Sequence, residues 1–241
     1  MNVRIVTASG KGGAGKSTIT AFLAHALANA GKKVLLIDAD ASLPSLDVLL
    51  GLREQVLWNW ADVMEERIDI YSALVHSGDI DLLPAPGAPV EGGSIAKLIE
   101  PIEDDYDFIF ADAPAGLGEG LFRAVECADR ALIVTTSDTL GVRAAFRTAE
   151  CLEQRGIRQS RLIINRFRKK ETAKGILADI DSIIDDSAVR LIGIVPEDFA
   201  LSLAAIAGDP IKENSVSAQA FDRIAHRLLG ENVPLNFKGM K

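Results

Sequence analysis

The ten residues Ser9 to Thr18, SGKGGAGKST, lie between a short apolar run, Val3 to Ala8, and a helical pattern beginning at Ser17. A strand, a glycine loop and a helix in that order leave few local folds open. Gly10, Gly15, Lys16 and Ser17 stand at the offsets of the phosphate-loop pattern G-x-x-x-x-G-K-[ST]. Glycine carries no Cβ, so backbone N–H groups can converge on phosphate oxygens, and the helix N-terminus adds the positive end of its dipole. In such a loop Lys16 neutralises the β- and γ-phosphates of a nucleotide, and the Ser17 hydroxyl ligates magnesium. Lys11, five residues before Lys16, is not required by the pattern; alone it reads as a solvated surface lysine.

Short apolar runs alternate with helical patterns along the whole chain. The runs are Val3–Ala8, Lys33–Asp38, Ile80–Leu83, Phe108–Ala113, Arg130–Thr135, Arg161–Asn165 and Leu191–Val195. Most are continuous rather than alternating, as strands buried on both faces require. The intervening helical patterns cover 17–30, 57–66, 94–103, 119–127, 139–155 and 173–185, with Gly31 and Gly156 as stop signals. This order predicts a single-domain α/β fold: a doubly wound, mostly parallel sheet with helices on both faces and ligands at the carboxyl ends of its strands. The predicted domain spans 1–230, followed by a short tail, 231–241. Pro84–Gly93, with three prolines and three glycines, reads as a surface loop.

Composition narrows the class. Hydrophobic residues make up 48% of the 241, enough to cover a sheet, while a net charge of −8 argues against a chain whose main task is coating nucleic acid. Cys127 and Cys151 lack metal-ligand spacing and read as reduced thiols in helical patterns. No leader precedes the first run and no apolar stretch reaches membrane-spanning length, so a cytoplasmic location is expected, with any contact at the inner face of the cell membrane peripheral.

Three carboxylates complete the chemistry. Asp38 and Asp40 end the second run, LLIDAD, and Asp112 ends the fourth, FIFADAPAG. Strand ends of a parallel sheet face the crevice into which the glycine loop opens, so these acids surround the expected phosphates. Asp112 is the expected metal residue, Asp38 supports the metal's water shell, and Asp40 orients the attacking water. A single Asp after a strand more often caps a helix or closes a turn. Two acid-bearing strand ends beside a phosphate loop reverse that expectation.

With KGGAGKS intact, the loop resembles the deviant Walker A motif of the MinD/ParA family of P-loop ATPases. DADASLPSLDVLLGL is similar to the switch I stretch of the family's MinD branch, and YDFIFADAPAGLG to its Walker B and switch II. LIINRF and IGIVPEDFALSLAAIAGDPI resemble its adenine strand and late proline loop, so the likeness runs from Met1 to about Gly230. The resemblance implies an ATPase that takes ATP and Mg2+ and forms a homodimer around two ATP molecules. It implies that Gly12, Gly13, Ala14, Gly15, Lys16, Ser17 and Thr18 hold phosphate and magnesium, and that Lys11 reaches the partner's nucleotide. It also implies that Asn165 and Arg166 flank the adenine together with Pro196, Glu197 and Asp198. A protein regulator or cargo follows from the same likeness, with division-site placement or positioning of a cell-surface structure as the role.

The pattern also breaks. MinD proteins usually end in a basic amphipathic helix, whereas the tail ENVPLNFKGMK carries only Lys238 and Lys241 and contains Pro234. Leu235, Phe237 and Met240 offer a weak membrane contact at most. Ala41, Pro44 and Ser45 depart from the usual switch I. Flagellar-number regulators carry similar motifs. A ParA-type partitioning ATPase would bind nonspecific DNA, for which only the run Arg166–Lys170 speaks. Cluster-bearing iron proteins would need paired cysteines, which Cys127 and Cys151 do not form.

Overall fold

The computed structural model describes residues 2–235. The chain opens with β1 (Val3–Ala8), α1 (Lys16–Asn29), β2 (Val34–Asp38), α2 (Leu46–Leu49), α3 (Trp60–Met64) and α4 (Ile70–Ala73). It continues through β3 (Val75–Ser77), β4 (Ile80–Leu83), α5 (Ile95–Ile99), β5 (Phe108–Asp112), α6 (Glu119–Val125), β6 (Arg130–Thr135) and α7 (Thr139–Gln154). The last third holds β7 (Gln159–Phe167), α8 (Lys169–Ala173), α9 (Ile180–Ser187), β8 (Leu191–Pro196), α10 (Phe199–Ala207) and α11 (Val216–Leu228). Among the described residues eight strands form one sheet in the order β3-β4-β2-β5-β1-β6-β7-β8.

All seven expected strands are present, and every pairing among them is parallel. The eighth, β3, runs antiparallel to β4 at the edge and was not foreseen. Three residues returning through Gly78 at φ 62° are too few to show a strand period. Each face of the sheet carries its own apolar core. Val6, Leu35 and Ile37 point to the side covered by α3, α5, α6, α7 and α9. Ile5, Val34 and Leu36 point to the side covered by α1, α10 and α11. Burying each such aliphatic side chain stabilises the fold by roughly 1.5–3 kcal/mol before the entropy of ordering is subtracted.

Local chemistry sets the helix ends. The alanine- and leucine-rich α1 stops where Gly31, at φ 75°, lets its N–H reach the Ala28 carbonyl at 2.8 Å. The expected helix 57–66 contracts to α3, because Asn59 and Asp62 form a reciprocal capping box and fix its start. The pattern over 94–103 ends early, at α5, ahead of Pro101. Of the expected helix 173–185 only the later part forms, as α9: α8 lies upstream and ends at Ala173, Gly175 stands at φ 70°, and Asp179 caps α9 by accepting from Ser182 N at 2.8 Å. On the far face, α11 sits so close to β8 that a Cβ on Gly193 would overlap Ile224. The first turn of the tail is tied down, since Arg227 donates to the carbonyls of Ile192, Val233 and Pro234. The contacts expected of Phe237 and Met240 lie outside the described residues. Among the described residues no helix is long and apolar enough to cross a membrane.

Candidate functional site

Strand register brings the acids together. Asp38 is level with Asp112 on adjacent strands, and Asp112 is level with Thr7 at the end of β1. The glycine loop opens just beyond. Gly13 and Gly15 take φ of 77° and 86°, a region open to glycine and costly for other residues. A Cβ on Gly12 or Gly13 would meet nothing, so the concave face of the loop is clear. The helix α1 starts at Lys16 with no side-chain cap and no acid in its first turn. Its first N–H groups therefore have no anionic partner of their own and suit a bound phosphate.

Asp112 is fully buried and collects three donors. Lys16 Nζ and Ser17 Oγ donate to Oδ2 at 2.9 and 2.6 Å, and Thr20 Oγ1 donates to Oδ1 at 2.9 Å. A serine hydroxyl and a carboxylate oxygen in contact form the hard oxygen pair that magnesium takes, its other positions being filled by phosphate and water. The residues present fit Mg2+ with a nucleotide. Among the described residues there is no cluster of three or more His, Cys, Asp or Glu of the kind an all-protein metal cage needs.

Asp38 and Asp40 both organise the loop that leads into α2. Asp38 Oδ2 accepts from Ser45 N at 2.8 Å and Leu46 N at 3.0 Å, and Oδ1 accepts from Asp40 N at 3.1 Å. Burial pushes its carboxyl up to about 7; the neighbouring charge of Asp112 adds to this, and the three N–H bonds oppose it. Asp40 is half-buried and accepts from Ser42 N and Leu43 N, closing a turn. A cleft of about 340 Å³ opens between Asp40–Ser42 and the segment 114–121, which runs from the loop after β5 into the first turn of α6.

Asn165 is the residue whose surroundings differ most from expectation. It is buried, donates from Nδ2 to the Ala14 carbonyl at 2.8 Å, and accepts Arg166 N on Oδ1 at 2.9 Å. Arg166 stands at φ 53°, where β7 departs from its register with β8, and this bend turns Asn165 onto the glycine loop. Its amide thus braces the phosphate loop, with Gly15 the only residue type small enough beside it. Pro196 ends β8 opposite Phe167. Glu197 pairs with Arg168 at 3.5 Å, and Asp198 caps α10 while also accepting from Ser217 N at 3.2 Å. Gly10 packs against Ala144 and Thr148 of α7, and Thr18 faces partly outward on α1.

Three functional contacts were not foreseen. Thr20 lies one helical turn after Lys16, a spacing that could have revealed it. Trp60 is fully buried and donates Nε1 to the Asp38 carbonyl at 3.0 Å. Asp138, in the turn between β6 and α7, binds Lys11 Nζ through both oxygens at 2.9 Å. The strand-end reasoning that found Asp38 and Asp112 applies equally to it. Cys127 is buried, which pushes its thiol up to about 12, and both cysteines are free.

A parallel sheet with an uncapped, glycine-loop helix at its switch point defines a phosphate-loop nucleotide-binding protein. Residues 5–211 match the CobQ/CobB/MinD/ParA nucleotide binding domain family, and the chain belongs to that family. It is 39% identical to the septum site-determining protein MinD of Synechocystis over 97% of this chain and 92% of that protein. It is 38% identical to MinD of Bacillus subtilis, with coverage of 98% and 92%. Among solved structures, MinD in the MinC:MinD cell division protein complex of Aquifex aeolicus superposes with a TM-score of 0.91 at 37% identity, covering 99% and 100%. MinD of Pyrococcus horikoshii complexed with Mg-ADP gives 0.85 at 27% identity, covering 95% and 96%. A plasmid partition protein of Borrelia burgdorferi shares the fold, with a TM-score of 0.77 at 23% identity.

Proposed function

We propose that this chain is an ATP-hydrolysing dimerisation switch of the MinD type, serving spatial regulation of cell division or positioning of a cell-surface structure. One observation supports it most: Lys16, Ser17 and Thr20 converge on Asp112 beneath an uncapped helix, in a chain similar to MinD along nearly its whole length. Residues Gly10 to Thr18 would hold the phosphates, with Lys16 on the β- and γ-groups. Ser17 and Asp112 would hold Mg2+, with Asp38 behind its water shell. When bound, the ion neutralises charge that develops on the phosphates. Asn165, Arg166 and the segment Pro196, Glu197, Asp198 would flank the adenine.

Asp40, at the mouth of the cleft, orients the attacking water. Its turn to Ser42 and Leu43 gives the same loop a second role as a switch, since a γ-phosphate offers that loop a ligand and hydrolysis removes it. Lys11 supplies its ammonium to the neighbouring chain's nucleotide, a charge present only in the dimer. Such fingers contribute on the order of a thousandfold in rate. Turnover by one chain is therefore slow and rises with a partner; the Aquifex relative is seen in complex with MinC, and a protein regulator or cargo is part of this reading.

The test is Lys11→Ala. Nucleotide affinity, read by fluorescent ATP-analogue binding, stays within a few-fold, while turnover and ATP-dependent dimerisation fall. Unchanged hydrolysis in that variant counts against the dimer mechanism.

A further inference from the structure

At the end of the sheet away from the glycine loop, a cavity of about 470 Å³ lies between α7, the start of β7 and the turn that leads from α9 into β8. Its walls carry Arg158, Arg161 and Arg190. Leu162 and Leu191 are level on adjacent strands, so Arg161 and Arg190, one residue before each, stand side by side. Arg158 joins them from the loop after α7. We propose that this cavity is a second ligand site, separate from the nucleotide crevice, which takes a compact soluble polyanion carrying two or more phosphate groups.

Three observations favour a ligand over merely solvated charge. Among the described residues none of these three arginines lies within ion-pair distance of an acid, although the chain has a net charge of −8. Arg4, Arg67, Arg147 and Arg168 each hold a carboxylate. Like charges side by side on neighbouring strands repel, and an anion between them removes that cost. Second, Arg161 is already aimed, because its Nη1 donates to the Ser160 carbonyl at 3.0 Å. A guanidinium held in place loses less freedom when a ligand arrives. Third, Ala188 stands at φ 55°, a conformation that a Cβ makes costly. This left-handed turn ends α9, seats Val189 in the core and brings Arg190 to the cavity wall.

Charge and size define the ligand. The volume falls in the range of small-molecule sites, roughly 300–1,000 Å³. A guanidinium keeps its charge at every working pH, and its planar fork matches two oxygens of one phosphate. Glu153 shares the wall and opposes any anion. Three guanidiniums against one carboxylate still favour an anion, but a single negative charge is held too weakly to stay. The cavity lies at the amino ends of β7 and β8, whereas Asn165 and the glycine loop lie toward the carboxyl ends. Arg161 and Asn165 are separated by about 13 Å of strand, so filling one site leaves the other open.

The assay is isothermal titration calorimetry of inorganic triphosphate with the full chain carrying Lys16→Ala, without Mg2+, so that the phosphate loop is silenced. Arg158→Gln, Arg161→Gln, Arg190→Gln and Glu153→Gln are each compared in that background. The expected result is a single site, weakened about fivefold by each arginine change and tightened by a similar factor by Glu153→Gln. A gain of that kind cannot come from damage to the fold. The Nε signals of the three arginines should also shift in nitrogen-15 NMR when triphosphate saturates the chain. Absence of binding, or an affinity that ignores the three arginines and Glu153, overturns the site. Sedimentation with phosphatidylglycerol vesicles that needs the same arginines, without binding of triphosphate, would assign the cavity to a lipid surface and overturn the soluble ligand.

Discussion

Replacing Gly15 with alanine tests the way Asn165 is fastened to the glycine loop. Gly15 stands at φ 86° and ψ 27°, and a Cβ there would overlap the Asn165 Nδ2 atom. Two costs follow. Holding alanine in the left-handed region costs about 1 kcal/mol. Asn165 must also retreat, losing its 2.8 Å bond to the Ala14 carbonyl and leaving a buried amide unpaired, about 1–3 kcal/mol more. Gly13→Ala shares the first cost but not the second, since φ is 77° and the space beyond is open. Urea unfolding of the nucleotide-free protein should therefore show a loss of about 2–4 kcal/mol for Gly15→Ala against about 1 kcal/mol for Gly13→Ala. Asn165→Ala makes room for the new methyl. In that background the Gly15→Ala cost should drop to about 1 kcal/mol, a coupling that a double-mutant cycle reads directly. Equal losses for the two glycine variants, or strict additivity with Asn165→Ala, would refute the brace.

Two further outcomes follow from the same geometry. The Asp138 carboxyl should titrate at about 2 in carbon-detected NMR. Lys11→Ala should move that midpoint upward, because the lysine supplies two of the contributions that lower it. A midpoint that does not respond to Lys11 would show the pair to be absent in solution. Trp60→Phe removes the Nε1 bond to the Asp38 carbonyl and leaves that buried oxygen short of a partner, so thermal unfolding should register about 1–3 kcal/mol of lost stability. No measurable loss would place the indole outside the support of β2.

Much of this architecture was readable because its signals are local. Continuous apolar runs marked the parallel strands, and Gly13 and Gly15 stood where the loop needs positive φ. Asp38 and Asp112 were legible from a topological rule, that strand ends share a crevice. Contacts across long sequence separations were less legible. Nothing near Asn165 says that its amide will meet the Ala14 carbonyl, because the left-handed turn at Arg166 that aims it is set by a register shift between β7 and β8. Asp138 stayed hidden since its cap on α7 is an ordinary role, and only the fold brings Lys11 to it. The late start of the helix expected over 173–185 was missed because Ile176, Leu177, Ile180 and Ile183 continue an apolar pattern across Gly175 and Asp179, where the chain turns before α9.

Light scattering of an Asp40→Ala variant, saturated with ATP and Mg2+ or with ADP, reaches the central claim most directly. Twice the chain mass with ATP and the single-chain mass with ADP is the predicted result. Single-chain mass in both, with nucleotide shown to be bound, would contradict the switch and leave a nucleotide-binding protein that works alone.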